Sequence, residues 1–486
     1  MHVGRVTALT AVVASLMLAT LYDIQYSAAA LAVPFLATIY WMLGITHLLP
    51  SDRYGLAYCL LVILLPLAPA MGSDGTIVRF ALAGAFLVLV VDTRGTTERN
   101  IPAFIAVATL SLLALLAIST VTAPSLGYGI TRLLNWTMFI PAAFVYFRRP
   151  RPGALTFGLL ASAGVQYGGV IFQLQGIYGG TWGGLLVSGT TYTHEGGKWI
   201  TRYTGFVLNP NNLGFLLSAA ALVLIIAIIG DQPLRIRLAG LFGVGALVYG
   251  MLLTSSRGAL LALFVGVLVS SIYLGFRPFI TVVLSGAVTL LGVTSLRWTP
   301  LNRVISSYGE IADETDKSYL ARVTLWADRL TGIDYFDILA GGGFGATNRE
   351  AFSGQSGLGV DSVVQIAGTV DNAWIKLLLE SGALGVAALA ALLVGPTLAV
   401  IVARSEHQDR RFGATLLGVT TIVFWASTSY DIFDINPWNG LIPMLIGVAL
   451  SLNQGSTRTS TSPLDKDTSR GYYPAGRPTA HVGVLH

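Results

Sequence analysis

Long apolar runs follow one another along almost the whole chain, separated by short intervals of glycine, proline and charged residues. A helix needs about 20 apolar residues to cross a bilayer. Within lipid every backbone N–H and C=O also needs an internal partner, so runs of that length are expected to be helices. The pattern places them near residues 6–22, 28–48, 55–71, 77–92, 101–120, 131–147, 153–175, 206–229, 235–254, 258–275, 278–297, 374–403, 412–428 and 438–453. It predicts an all-α fold, a polytopic membrane bundle of about 12 to 14 transmembrane helices. The first run reads as a retained signal anchor, because YDIQYSAAA lacks a strong cleavage pattern and a second span follows at once.

Alternate connections fall on opposite sides, and their charges differ. One side carries Arg5, Arg53, Arg94, Arg99, Arg148, Arg149, Arg151, Arg235, Arg237, Arg277, Arg404, Arg410 and Arg411. The short connections of the other side, YDIQYS, AMGSDGT and TVTAPSLGYGIT, contain no Lys or Arg. The arginine-rich side is therefore expected in the cytoplasm, with both termini inside. The long connections 176–205 and 298–371 are then outside. Within the second, Leu320, Val323, Ala327 and Leu330 recur at helical spacing and predict an amphipathic helix lying over the bundle. Three regions follow: N-terminal membrane helices 1–175, a membrane core 176–453 with both outer loops, and a disordered, cytoplasmic Ser/Thr/Gly/Pro-rich tail 454–486.

Composition agrees with this division of solvents. The 486 residues are 54% hydrophobic and only 11% charged, against about a quarter charged in soluble domains. Membrane lipids are the expected surroundings. The net charge of +5 reflects orientation in the bilayer and does not call for nucleic acid. Cys59, in an apolar run, is the sole cysteine, which excludes a disulfide framework, a CxxC metal site and paired redox chemistry.

Candidate chemistry gathers on the outer side. Arg257, in the short connection TSSRG, stands at the outer boundary at the start of a span. It is either a snorkelling side chain or, because it departs from the charge bias, a functional cation. Arg202 precedes another span, whose entry holds Asn209, Asn211 and Asn212. Two guanidinium forks converging from separate loops suit a diphosphate, although a solvated loop charge is the alternative for Arg202. In VDNAWIKLLLESGALG, Asp371 at the water boundary can take a proton from a sugar hydroxyl or cap the helix. Glu380, deeper, hydrogen-bonds within the bundle or lines the cavity. Arg322 joins the phosphate site or is the polar face of the amphipathic helix. GGGFG, Gly341–Gly345, reads better as a loop turn than as a phosphate cradle. His194 and Glu195 lack metal-spaced partners, while Asp431 and Asp434 touch a polar substrate or cap helix ends.

The succession TRYTGFVLNPNN, LLTSSRGALLALFVG, LWADRLTGIDYFDILAGGGFG and DNAWIKLLLESGALG resembles the O-antigen ligase and Wzy-type polysaccharide polymerase superfamily. The resemblance spans about Arg202 to Gly385. It implies a glycosyltransferase of the cytoplasmic (inner) membrane acting on the outer face. The donor would be an undecaprenyl-diphosphate-linked glycan and the acceptor a glycan or lipid, with no cofactor and no metal; a chain-length regulator is a partner to look for. Arg202 and Arg257 would bind the diphosphate, with Arg322, Asn209, Asn211 and Glu380 as further substrate contacts and Asp371 and Asn372 as catalytic groups. The ligase branch is similar in having His-Asn, nine residues, Gly, two residues, Gly. Asn372, Gly382 and Gly385 match, but Asp371 stands in place of the histidine, which favours the polymerase over the ligase. A polysaccharide transporter or lipid flippase is the rival from another class, and it would want more ionisable residues near mid-membrane.

Overall fold

The computed structural model describes residues 52–93, 101–177, 181–182, 185–186, 190–195, 198–229, 234–280, 323–327, 330–331, 335–345, 372–403, 407–429 and 438–458. The expected spans 6–22 and 28–48, most of 278–297, and the residues Arg322, Asp371, Asp431 and Asp434 lie outside them, as does the tail after residue 458.

Each expected span within the described residues coincides with helix. In chain order these are α1 (Arg53–Leu64, prolonged by a 3-10 segment Leu65–Met71), α2 (Ser73–Asp92), α3 (Ala103–Val121), α4 (Leu126–Thr137), α5 (Ile140–Arg148) and α6 (Pro152–Leu174). They continue as α7 (Pro210–Ile229), α8 (Leu234–Thr254), α9 (Arg257–Leu274), a short α10 (Tyr335–Ala340), α11 (Ala373–Ala403), α12 (His407–Ser429) and α13 (Trp438–Arg458). Seven helical segments among the described residues are long and apolar enough to cross a membrane, and α8 and α13 hold shorter apolar stretches. The fold is an all-α polytopic bundle.

Three details depart from the apolar pattern. The run 131–147 is two helices, α4 and α5, separated at Phe139 with Pro141 in the first turn of α5. Proline has no N–H for the helical ladder and is tolerated where a helix begins. Helix α11 is interrupted at Gly382 (φ 72°, ψ 179°), so its first segment, 373–381, is a separate short helix. Helix α13 continues to Arg458 instead of ending at 453. The connection 176–205 also holds two antiparallel hairpins, β1 (Thr181–Trp182) with β2 (Leu185–Leu186) and β3 (Thr191–Glu195) with β4 (Lys198–Arg202). Gly196 and Gly197 alone separate β3 from β4, the residue type that two-residue hairpins prefer.

Helix α7 is the centre of the bundle, buried along most of its length, whereas α2 is largely exposed. The side chains of Leu87, Val88 and Val91 on α2 are open to the surroundings; such an apolar face is a liability in water and the expected state in lipid. Small residues allow close helix contacts, as is usual in membranes. Ser218 on α7 donates its hydroxyl to Ala259 O of α9 (2.8 Å), and Ser270 on α9 to Ala414 O of α12 (2.8 Å).

Charged residues from several arginine-bearing connections make contacts toward one end of the bundle. There, Arg53 pairs with Asp92 (2.6 Å), Arg151 Nε donates to Asp52 (2.7 Å), Tyr58 donates to Arg149 O (3.0 Å) and Arg410 donates to Tyr273 O (3.1 Å). The arginine-rich connections thus come together at this end. Among the described candidate residues, Arg202, Arg257 and Asn372 lie toward the other end.

Asp52 also caps α1, its Oδ1 accepting from Gly55 N. Burial pushes its carboxyl upward, but the hydrogen bonds from Arg151 and Gly55 outweigh burial and hold it below the ordinary aspartate value. A carboxyl depressed in the folded state adds stability above its unfolded value, and loses it as pH falls through the lower, folded value. We therefore expect Asp52→Asn to flatten the acid limb of unfolding below about pH 4, measured by tryptophan fluorescence in detergent. The effect is small because the pair is partly exposed.

Candidate functional site

Two buried glutamines of α6 build the support for Arg202. Gln173 Oε1 accepts from Thr204 N and Gly205 N (3.0 and 3.1 Å), its Nε2 donates to Thr204 Oγ1 (2.8 Å), and Gln166 Oε1 accepts from Phe206 N (2.8 Å). Spaced seven residues apart, they share one face of α6 and satisfy the backbone of an irregular segment that the membrane interior would otherwise penalise. The chain leaves β4 at Arg202, is pinned to α6 over residues 204–206, and enters α7 through Asn209. Asn209 Oδ1 accepts from Asn211 N (2.9 Å) and Asn212 N (3.1 Å), capping the helix.

Held in this way, the Arg202 guanidinium spans two elements. Its Nε donates to Thr254 O at the end of α8 (2.9 Å) and its Nη2 to Asn211 Oδ1 on α7 (2.6 Å); next to it, Tyr203 N donates to Leu253 O (3.3 Å). Thr254 opens the TSSRG connection, in which Ser255 has φ 51° and Ser256 is the N-cap of α9. Arg257 is the first residue of α9 and is partly buried. The fold therefore sets Arg202 against the connection that carries Arg257.

Asn372 lies at the same end of the bundle, on another wall. The antiparallel packing of α9 and α12 puts the end of α12 beside the start of α9, and Trp374 at the start of α11 meets Phe424 near the end of α12 (ring centroids 5.4 Å). Asn372 Oδ1 accepts from Trp374 N (3.0 Å) and Ile375 N (3.1 Å). The cap considered for Asp371 is thus made by Asn372, and Asp371 immediately precedes it in sequence, outside the described residues.

Glu380 is engaged inside the bundle on both carboxylate oxygens. Oε2 accepts from Arg132 Nη2 (3.0 Å), with both side chains nearly inaccessible, and Oε1 accepts from Gly345 N (3.0 Å). The Arg132 guanidinium also lies over the rings of Tyr128 (5.5 Å) and Phe344 (5.8 Å). The glycine run Gly341–Gly345 is folded against the break in α11. Gly342 N donates to Leu379 O (2.8 Å), Gly343 N to Glu380 O (3.1 Å) and Phe344 N to Ser119 O of α3 (2.8 Å). These amides are spent on carbonyls and a carboxylate, so a phosphate cradle there has no donors left among them. The run is a turn, as the sequence indicated.

Three charged residues absent from the sequence reading emerge. Arg132 pairs with Glu380, Arg79 on α2 donates to Asn135 Oδ1 on α4 (2.6 Å), and Lys376 is buried one turn beyond Asn372. Their signal was present in the sequence: each is an ionisable residue at or within an apolar run, which costs free energy and marks a specific role. Of the amphipathic helix expected over 320–330, residues 323–327 are helical, and Val323 and Leu330 are exposed.

Residues 242–390 match the family model described as O-antigen ligase. This stretch is similar to the O-antigen ligase family. It covers less than half of the chain, taking in Arg257, the glycine run, Asn372 and Glu380 and leaving out Arg202 and Arg132. No curated protein matches the chain. The resemblance read from the motifs is borne out over these residues, and the long apolar helices fit a multi-pass membrane protein.

Proposed function

We propose that the protein is a glycosyltransferase that polymerises or transfers an undecaprenyl-diphosphate-linked glycan on the outer face of the cytoplasmic membrane, with polymerisation the preferred reading. The observation that carries it is the placement of Arg202 on Thr254 and Asn211, at the connection that supplies Arg257. An acceptor hydroxyl oxygen attacks the anomeric carbon, the bond from that carbon to the diphosphate oxygen breaks, and the lipid diphosphate departs. The two guanidiniums stabilise the charge developing on the diphosphate, an effect that is often the largest catalytic term. Asp371 receives the hydroxyl proton, with Asn372 fixing the helix start beside it.

The test is reconstitution in liposomes with a labelled lipid-linked glycan. The reading requires products lengthened by whole repeats, or glycan moved to a second acceptor; change of sidedness without new linkages would refute it. In the same assay Asp371→Asn should lower kcat by about 10²- to 10⁴-fold, the usual worth of a general base. Chelators should leave the rate unchanged.

A broken membrane helix such as α11 is also a feature of transporters, where freed carbonyls bind ions. Here Leu379 O and Glu380 O are occupied by Gly342 N, Gly343 N and the Ser119 hydroxyl, which supports transfer over transport.

A further inference from the structure

The first segment of α11 is short, and its lower end is not held by its own helix. The break at Gly382 removes the amides that would have donated to Leu379 O and Glu380 O, and such carbonyls must find other donors. They find them in the glycine run: Gly342 N to Leu379 O (2.8 Å) and Gly343 N to Glu380 O (3.1 Å), with Ser119 Oγ also on Glu380 O (2.9 Å). The Glu380 side chain closes the assembly by accepting from Gly345 N on one oxygen and Arg132 Nη2 on the other, each at 3.0 Å. Elements separated by 248 positions in the chain thus meet on one carboxylate.

The close approach is geometric as well as electrostatic. A Cβ at Gly341 would lie 2.4 Å from Ser381 N, and one at Gly343 would lie 2.5 Å from the Thr122 hydroxyl of the outer connection after α3. The run is therefore wedged between α11 and the α3–α4 corner. Asn372, at the other end of the same nine-residue helical segment, caps it. Whatever moves Glu380 tilts or shifts Asn372, because a helix this short transmits displacement as a rigid body.

We propose that Arg132, Glu380 and the strap Gly341–Gly345 are a positioning unit for the catalytic end of α11. They do not touch substrate; they set where Asn372 and its neighbour stand relative to the arginine wall. This rests on the transfer reading above, since positioning has meaning only for a reaction carried out at that end. It differs from a purely structural ion pair in what it predicts for folded protein. Arg202 is held by α7 and α8 and Arg257 opens α9, whereas the strap is held by α3 and α11, so donor binding should survive when the strap is loosened and turnover should not.

The experiment uses full-length protein in liposomes, with labelled undecaprenyl-diphosphate glycan as donor. Arg132→Lys, Glu380→Gln and Glu380→Ala are compared with wild type after each is purified as a monodisperse species. Glu380→Ala should lower kcat by about 100-fold, the scale of a misplacement near 1 Å, with donor KM within about twofold of wild type. Glu380→Gln keeps an acceptor for Gly345 N and should recover part of the loss. Hydrogen exchange provides a second readout that needs no variant. The amides of Gly342 to Gly345 should be protected in the wild type, and rapid exchange there overturns the proposal. Wild-type kcat in folded Glu380→Ala, or a loss confined to donor KM, also overturns it. Absence of transfer by the wild-type protein would instead refute the functional reading, while the exchange data would still report on the strap.

Discussion

Arg257→Ala is expected to abolish detectable glycan transfer while the protein still inserts, folds and runs as a single species in detergent. Arg257 opens α9 directly after the Ser256 cap and is partly buried beside the segment that holds Arg202. If the leaving group is a diphosphate, charge accumulates on its bridging oxygen as the glycosidic bond breaks, and a preorganised cation stabilises that charge without reorganising solvent. Removal of one such group costs about 10²- to 10³-fold in kcat. The folding cost is smaller by comparison, because Arg257 is partly exposed and the large stability losses come mainly from buried sites. Arg257→Lys should restore only a fraction, since an ammonium offers a point charge where a planar fork can bind two phosphate oxygens. The measurement is turnover of labelled lipid-linked glycan alongside size-exclusion profiles. Products of wild-type length from Arg257→Ala would remove Arg257 from the mechanism.

The largest stability effect is expected at Gly382, and Gly382→Ala should leave little folded protein. Its φ of 72° with ψ of 179° is a conformation that side chains avoid at a cost of about 1–3 kcal/mol. Space is the greater obstacle. A Cβ there would lie 2.1 Å from Leu339 O and 2.6 Å from Ala340 N, both backbone atoms of the α10 segment leading into the strap. Relief requires α10 to lift away, which breaks the Gly342 and Gly343 bonds and strands Glu380 and Arg132 in a buried site. Losing one partner of a buried pair typically costs about 3–5 kcal/mol, and the alanine threatens that whole set of contacts at once. Gly84→Ala on α2 is the control: a Cβ there would meet nothing within 4 Å. Thermal unfolding followed by light scattering should show a large loss for the first and a minor one for the second. Equal melting temperatures would mean that the break in α11 is not fixed by this contact.

Much of the architecture was legible because the bilayer imposes one rule on every span. Helices α1 to α3, α6 to α9 and α11 to α13 each lie on an apolar run, and the arginines that were assigned to one side meet at one end, as in Arg53 with Asp92 and Arg151 with Asp52. The run 131–147 misled in one respect: hydropathy does not register a change of direction, and the Phe139–Pro141 corner divides it. The candidate site was legible in outline. Arg202 and Arg257 stood out as cations on a side otherwise poor in them. Asn211 proved to be a hydrogen-bond partner of Arg202, and Asn209 and Asn372 proved to be helix caps, roles that type and position permit but do not distinguish.

Sequence alone determined the apolar character of the chain, the helices on its described apolar runs and the family resemblance, because those follow from local composition and from motifs short enough to read in one dimension. Only the tertiary structure decided that Arg202 bears on Thr254, that Gln166 and Gln173 carry the segment behind it, and that Glu380 is shared by Arg132 and Gly345. Those contacts join residues scores to hundreds of positions apart. They exist because each buried polar group in a membrane must find a partner, and which partner it finds depends on how the helices pack.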